Sequence, residues 1–145
     1  MRTALKFMIL ALAITCSASG FSQTRNYKDG STWQISQIKS ETGQGIAYIN
    51  SLKTTWKSIM DEAKAQGLIL SYKILSGTSS NPGDWDILLM VEYKNLAAME
   101  GNEEKWEAIS AKIVGNDDAQ GKLRDIRVNM RSIYGVKVLR EVVYK

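Results

Sequence analysis

The nine residues Trp85-Asp86-Ile87-Leu88-Leu89-Met90-Val91-Glu92-Tyr93 are apolar at both parities of an extended strand. Side chains alternate across a strand with a period of two. Trp85, Ile87, Leu89, Val91 and Tyr93 therefore share one face, while Leu88 and Met90 share the other, between Asp86 and Glu92. A run this apolar belongs at the centre of a sheet, with a covering layer on each side. The rest of the chain has to supply those layers.

Upstream, Ser31–Lys39 alternates roughly between apolar and polar residues and predicts a first strand. Apolar residues at Ile46, Ile49, Leu52, Trp56, Ile59 and Ala63 recur at three- and four-residue steps, the pattern of an amphipathic helix closed by Gly67 at its C′ position. Leu68–Leu75 is rich in strand formers, and Gly77–Gly83 follows as a turn-forming loop. Leu68–Leu75 and Trp85–Tyr93 thus make a long hairpin. Asn95 suits an N-cap for a second helix marked by Leu96, Met99, Trp106, Ile109 and Ile113, with Gly101 and Asn102 as weak points. Asp117 and Asp118 place negative charge at the start of a short helix ending near Arg127, and Ile133–Val143 alternates as the last strand.

Residues 1–22 have the pattern of a cleavable export signal. Arg2 and Lys6 precede an apolar run, Phe7–Ile14, that is too short to span a bilayer, and small residues follow. Cleavage after Ser22 leaves a mature chain from Gln23, with 23–30 as a flexible lead-in and 31–145 as one domain of the usual size. Cys16 is a poor lipidation site because Thr15 stands where a small residue belongs, and its removal with the leader leaves no cysteine for disulfides, thiolate sites or nucleophiles. The expectation is a secreted or periplasmic protein with no membrane attachment after cleavage.

Losing Arg2 and Lys6 from 19 basic residues leaves 17 against 15 acidic ones, a net charge of +2. Basic and acidic residues are interspersed in Lys53–Lys64 and Lys122–Arg131, which predicts a mixed solvated surface and no nucleic-acid partner. The chain has no histidine. Histidine triads, the common zinc sites and histidine-ligated haem are thereby excluded, and neither metal nor cofactor is expected. Chemistry, if any, would fall to Asp, Glu, Lys or Tyr.

The order β-α-β-β-α-(α)-β is that of an α+β, ferredoxin-like domain: a four-stranded antiparallel sheet with two main helices on one face. The other face then needs cover, and a twofold dimer with the open faces packed together provides it. Through this order, the Trp85–Tyr93 strand leading into Asn95–Met99 and the closing strand, the chain resembles the dimeric α/β-barrel superfamily of small antibiotic-biosynthesis-type monooxygenases, EthD-like and NIPSNAP-like proteins. The resemblance covers Trp33 to Lys145 and implies a homodimer with a ligand chamber. Haem-degrading relatives present a histidine or similar ligand to the iron, and this chain has no histidine to offer. Gln34, Ser36 and Gln37 make the first strand more polar than a central strand should be, so they line a cavity or the register differs.

Seven residues are candidates for ligand binding. Trp33 and Trp85 begin strands, where pocket rims form. Trp56 and Trp106, at helical spacing, read as core. Lys73, Asp86 and Glu92 can face the space between two sheets and shift one another's pKa there, the surface alternative being simple salt bridging. Tyr93 and Arg140, with Tyr72, can orient an anionic or phenolic ligand. The leading reading is an exported small-molecule-binding or accessory protein taking a small apolar or aromatic ligand. A cofactor-independent oxygenase or isomerase acting on a small aromatic compound is the rival, and partner binding through the edge strand 68–75 is the third.

Overall fold

A computed structural model of the chain describes residues 25–145. The expected export signal at 1–22, Cys16 and the first two residues of the expected lead-in lie outside the described residues. The sheet has four antiparallel strands, β1 (Tyr27–Ser40), β2 (Ser71–Ser76), β3 (Ile87–Tyr93) and β4 (Arg131–Tyr144), in the order β2-β3-β1-β4. The helices are α1 (Gly45–Lys53), α2 (Trp56–Ala65), α3 (Glu103–Ile113) and α4 (Asp117–Val128), with a 3-10 turn at Leu96–Met99. This is the ferredoxin-like arrangement, with β3 and β1 central.

The β1–β4 side of the sheet extends further than alternation predicts. Tyr27 pairs with Tyr144, Lys28 with Val143 and Asp29 with Val142. Residues 27–30, expected to be a flexible lead-in, are therefore strand. A bulge between Asp29 and Thr32 bends the ladder there, and Gly30 fits it because a Cβ would come within 3.0 Å of Glu141 Cβ and Val143 Cγ2. At the other edge β2 is only six residues long, and Leu68 and Ile69, expected as strand, enter the core ahead of it.

The first long helix is two. Thr55 has non-helical torsions (φ −124°, ψ −87°) and its hydroxyl donates to Ser51 O at 2.7 Å, so a β-branched residue bonding back to the preceding turn interrupts the ladder between α1 and α2. Ile46, in the first turn of α1, points to solvent at 78% exposure, while Tyr48 and Leu52 carry the burial of α1. Gly67 ends α2 as expected: at φ 72° it donates to Lys64 O, and Leu68 N donates to Ala63 O, the paired bonds of a Schellman cap. The second expected helix is also divided. Asn95 caps only the 3-10 turn, accepting from Ala98 N at 2.9 Å, and Gly101 at φ 69° separates that turn from α3.

All of the helices pack on one face of the sheet. Ile87, Leu89, Val91 and Tyr93 of β3 meet Tyr48, Leu52, Met60, Ala63 and Ile109, with Trp56 joining the two halves of this core. Each of the fully buried side chains, such as Ile38, Leu52 and Ile87, contributes about 1.5–3 kcal/mol. Among the described residues no helix is long and apolar enough to cross a membrane.

Candidate functional site

The register of β1 decides which of its side chains meet the helices. Thr32, Gln34, Ser36 and Ile38 lie opposite Tyr93, Val91, Leu89 and Ile87, so they share the helix-facing side. Ile38 and Thr32 are buried, but Gln34 and Ser36 floor a cavity of about 190 Å³ instead of filling it. Trp56 and Met60 of α2 and Trp106 of α3 form its roof, and Tyr93 stands at its wall. Trp56 is fixed by an edge-to-face contact with Tyr72, whose ring centre is 5.5 Å away. Tyr72 Oη in turn donates to Asp61 Oδ1 at 2.6 Å, and Lys57 pairs with Asp61. The roof is thus held from outside.

The polar groups in this cavity are neutral. Tyr93 is 7% exposed; burial pushes its phenol above the ordinary tyrosine range, so it stays protonated, and its hydroxyl lies 3.5 Å from Gln34 Oε1. Thr32, one step along the same face, is fully buried, and its hydroxyl makes no hydrogen bond. The lining offers hydroxyl and amide donors and acceptors beside two indole rings, with no carboxylate or ammonium. Such a set combines apolar walls with neutral hydrogen-bonding groups. It contains no general base.

On the opposite face the ladders line up three transverse rows, each running β2 to β4. They are Ser71-Glu92-Trp33-Leu139, Lys73-Met90-Ile35-Lys137 and Leu75-Leu88-Gln37-Gly135. Trp33, Lys73 and Glu92 are brought together here: Lys73 Nζ lies 5.4 Å from the Trp33 ring centre, and Ser71 Oγ donates to Glu92 Oε2 at 2.5 Å. Ile35, Leu88 and Met90 form an apolar centre that no helix covers.

The other predicted residues lie apart from this group. Asp86 accepts from Ser40 N at 2.9 Å and also from Ser40 Oγ, tying the entry of β3 to the end of β1. Trp85 sits beside it on the surface, at the end of the loop from β2. Arg140 pairs with Asp29 at 2.9 Å across the outer part of the sheet, in solvent. Tyr93 is the one predicted residue that lines the inner cavity. Trp56 and Trp106, read as core, line it too, and the inward polarity of Gln34 and Ser36 was its signature in the sequence.

No protein-family model and no curated protein matches the chain. Solved structures similar to it include the following two. One is a dimeric ferredoxin-like protein from an uncultured marine organism, 13% identical with a TM-score of 0.45, covering 81% of this chain and 90% of that one. The other is a dimeric protein of unknown function with a ferredoxin-like fold from Bacteroides fragilis, 15% identical with a TM-score of 0.39, covering 82% of this chain and 99% of that one.

Proposed function

We propose that this chain is an exported, homodimeric small-molecule-binding protein of the dimeric α/β-barrel type, whose inner cavity holds one aromatic ring with a polar substituent. The observation that carries the reading is the placement of Gln34 and Ser36 inside the sheet–helix layer beneath Trp56 and Trp106. A purely structural core would bury aliphatic side chains at those two positions. Apolar cavities of ~150 Å³ hold a benzene ring, so about 190 Å³ suits a ring with a hydroxyl or carbonyl. The absence of a base from the lining favours binding over an oxygenase or isomerase reaction. The uncovered Ile35, Leu88 and Met90 support face-to-face pairing of two copies, and the leader at 1–22 supports export.

Titration of tryptophan fluorescence with phenol and with benzene tests the binding reading. Phenol is expected to bind saturably and more tightly than benzene, by about tenfold for one satisfied hydrogen bond. Ser36→Leu fills the cavity and abolishes the response. If neither compound saturates, or if Ser36→Leu binds phenol as well as the parent, the cavity is not a ligand site.

A further inference from the structure

A second cavity, of about 230 Å³, opens between α2, α3 and α4 and shares no lining residue with the first. Ile59, Ser110 and Gln120 form part of its wall, and Arg124, Arg127 and Arg131 converge on it. Arg124 and Arg127 are three residues apart on α4 and so share a face, while Arg131 opens β4. Arg127 Nη2 donates to Thr55 Oγ1 at the α1–α2 break. Arg131 lies with its guanidinium 5.7 Å from the Tyr48 ring centre. The Nε atoms of both Arg127 and Arg131 are buried without a hydrogen-bond partner.

These arginines have no counter-charge. The ion pairs among the described residues join Lys57 to Asp61, Lys112 to Glu62 and Arg140 to Asp29, and no carboxylate lines the cavity. Burial, opposed by Tyr48 and assisted by the charge of Arg131, pulls the Arg127 guanidinium below the usual arginine range. A guanidinium does not deprotonate in a protein, so the positive charge stays and the site is left needing an anion.

We infer that this cavity binds a tetrahedral oxyanion, a phosphate or sulfate group, between the guanidinium groups of Arg124, Arg127 and Arg131. Arg127 and Arg131 bring two guanidinium forks to the cavity lining from different elements, and Arg124 adds a third guanidinium. A carboxylate satisfies one fork, whereas a phosphate or sulfate has enough oxygens for both. The volume is below the ~300–1,000 Å³ of pockets that enclose drug-sized ligands. It suits an ion or the terminal group of a small ester. The inference rests on the arginine geometry alone and does not depend on a ring occupying the inner cavity.

Calorimetric titration of the purified protein with inorganic phosphate and with sulfate, at constant ionic strength set by chloride, tests it. Saturable binding of one anion per chain is expected, with acetate failing to compete. Arg124→Gln, at an exposed position that folding does not need, is expected to weaken binding about tenfold, and Arg127→Gln by at least as much. Lys122→Gln, which removes a surface charge outside the cavity, leaves it unchanged. Glycerol phosphate, which carries no ring for the inner cavity, binding well above inorganic phosphate assigns the group to an organic ester, and equal binding assigns the free ion. Absence of saturable binding by both anions, or an affinity unmoved by Arg124→Gln and Arg127→Gln, overturns the assignment.

Discussion

Replacing Leu88 with lysine separates pairing of the open sheet faces from folding of the chain. Leu88 lies between Leu75 and Gln37 in the third transverse row and has no helix over it. In an isolated chain the new ammonium reaches water directly, with Lys73 and Lys39 as diagonal like-charged neighbours, so the stability change stays within about 1 kcal/mol. In a face-to-face dimer the same group is buried in both copies. Burying an ion costs several kcal/mol, and a flexible lysine stem recovers part of this by reaching toward the rim. Taking about 2 kcal/mol per copy, the dimer loses about 4 kcal/mol, close to a thousandfold in Kd. Sedimentation equilibrium over a range of concentrations reads the dissociation constant, and urea denaturation at low concentration reads the fold. The converse change, Lys137→Met, removes a charge from the middle row and is expected to tighten pairing. A parent protein that is monomeric throughout, or a Leu88→Lys variant with the parent's dissociation constant, would refute the reasoning.

Two further outcomes concern the ends of β3. Asp86→Ala removes both acceptors of the Ser40 backbone and hydroxyl bonds and leaves a half-buried N–H unpaired. A loss of about 1–3 kcal/mol is expected, read as a lower urea midpoint at unchanged slope, and Asp86→Asn retains part of it. At the other end, Tyr93 has its phenol raised above 10.0 by burial. Its folded pKa exceeds its unfolded one, so its contribution is fully present below about pH 10 and is lost as pH rises through the folded value. Phenolate absorbance is expected to show Tyr93 titrating among the late tyrosines along with Tyr72, and Tyr93→Phe removes one late proton; an unchanged titration counts against a buried phenol.

The elements that could be read from the sequence are those in which local pattern and tertiary packing agree. Val91 and Leu89 face the helices and Met90 faces away, as a period of two requires, and Gly67 adopts the positive φ that a helix C′ demands. The break at Thr55 was hidden because Trp56, Ile59 and Ala63 continue the apolar spacing in phase across it. Only the hydroxyl bond back to Ser51 distinguishes two helices from one. The same spacing assigns Ile46 to the core, although in a helix that starts at Gly45 it turns outward. At β4, valine-rich alternation predicted a strand but not its exposure. Val136, Val138 and Val142 share the helix-facing side with Ser36, Gln34 and Asp29, yet each stays half exposed because the α layer leaves that edge of the sheet uncovered.

The candidate sites were legible to different degrees for a related reason. Gln34 and Ser36 stand out in sequence because polar residues at inward positions of a central strand need partners or space, and the structure supplies space. Trp33, Lys73 and Glu92 meet only through two cross-strand registers, which no local pattern encodes. The basic residues of 122–131 surround one acidic residue, Asp125, and read as a solvated surface. Folding changes that reading, because Arg124, Arg127 and Arg131 converge on one cavity while Asp125, between the first two, forms no ion pair with any of them. The two faces of the sheet also divide the work. Burial beneath the helices holds neutral donors and acceptors in the inner cavity, while charges in the Lys73 and Glu92 rows sit where water or a second copy can reach them. In the proposed reading, a ligand chamber and a pairing surface on opposite sides of the same strands can each be altered without the other. Ser36→Leu should therefore abolish phenol binding in a protein that still dimerises, and Leu88→Lys should dissociate a protein that still binds phenol; loss of both properties in either variant would mean that the chamber is completed by the partner copy.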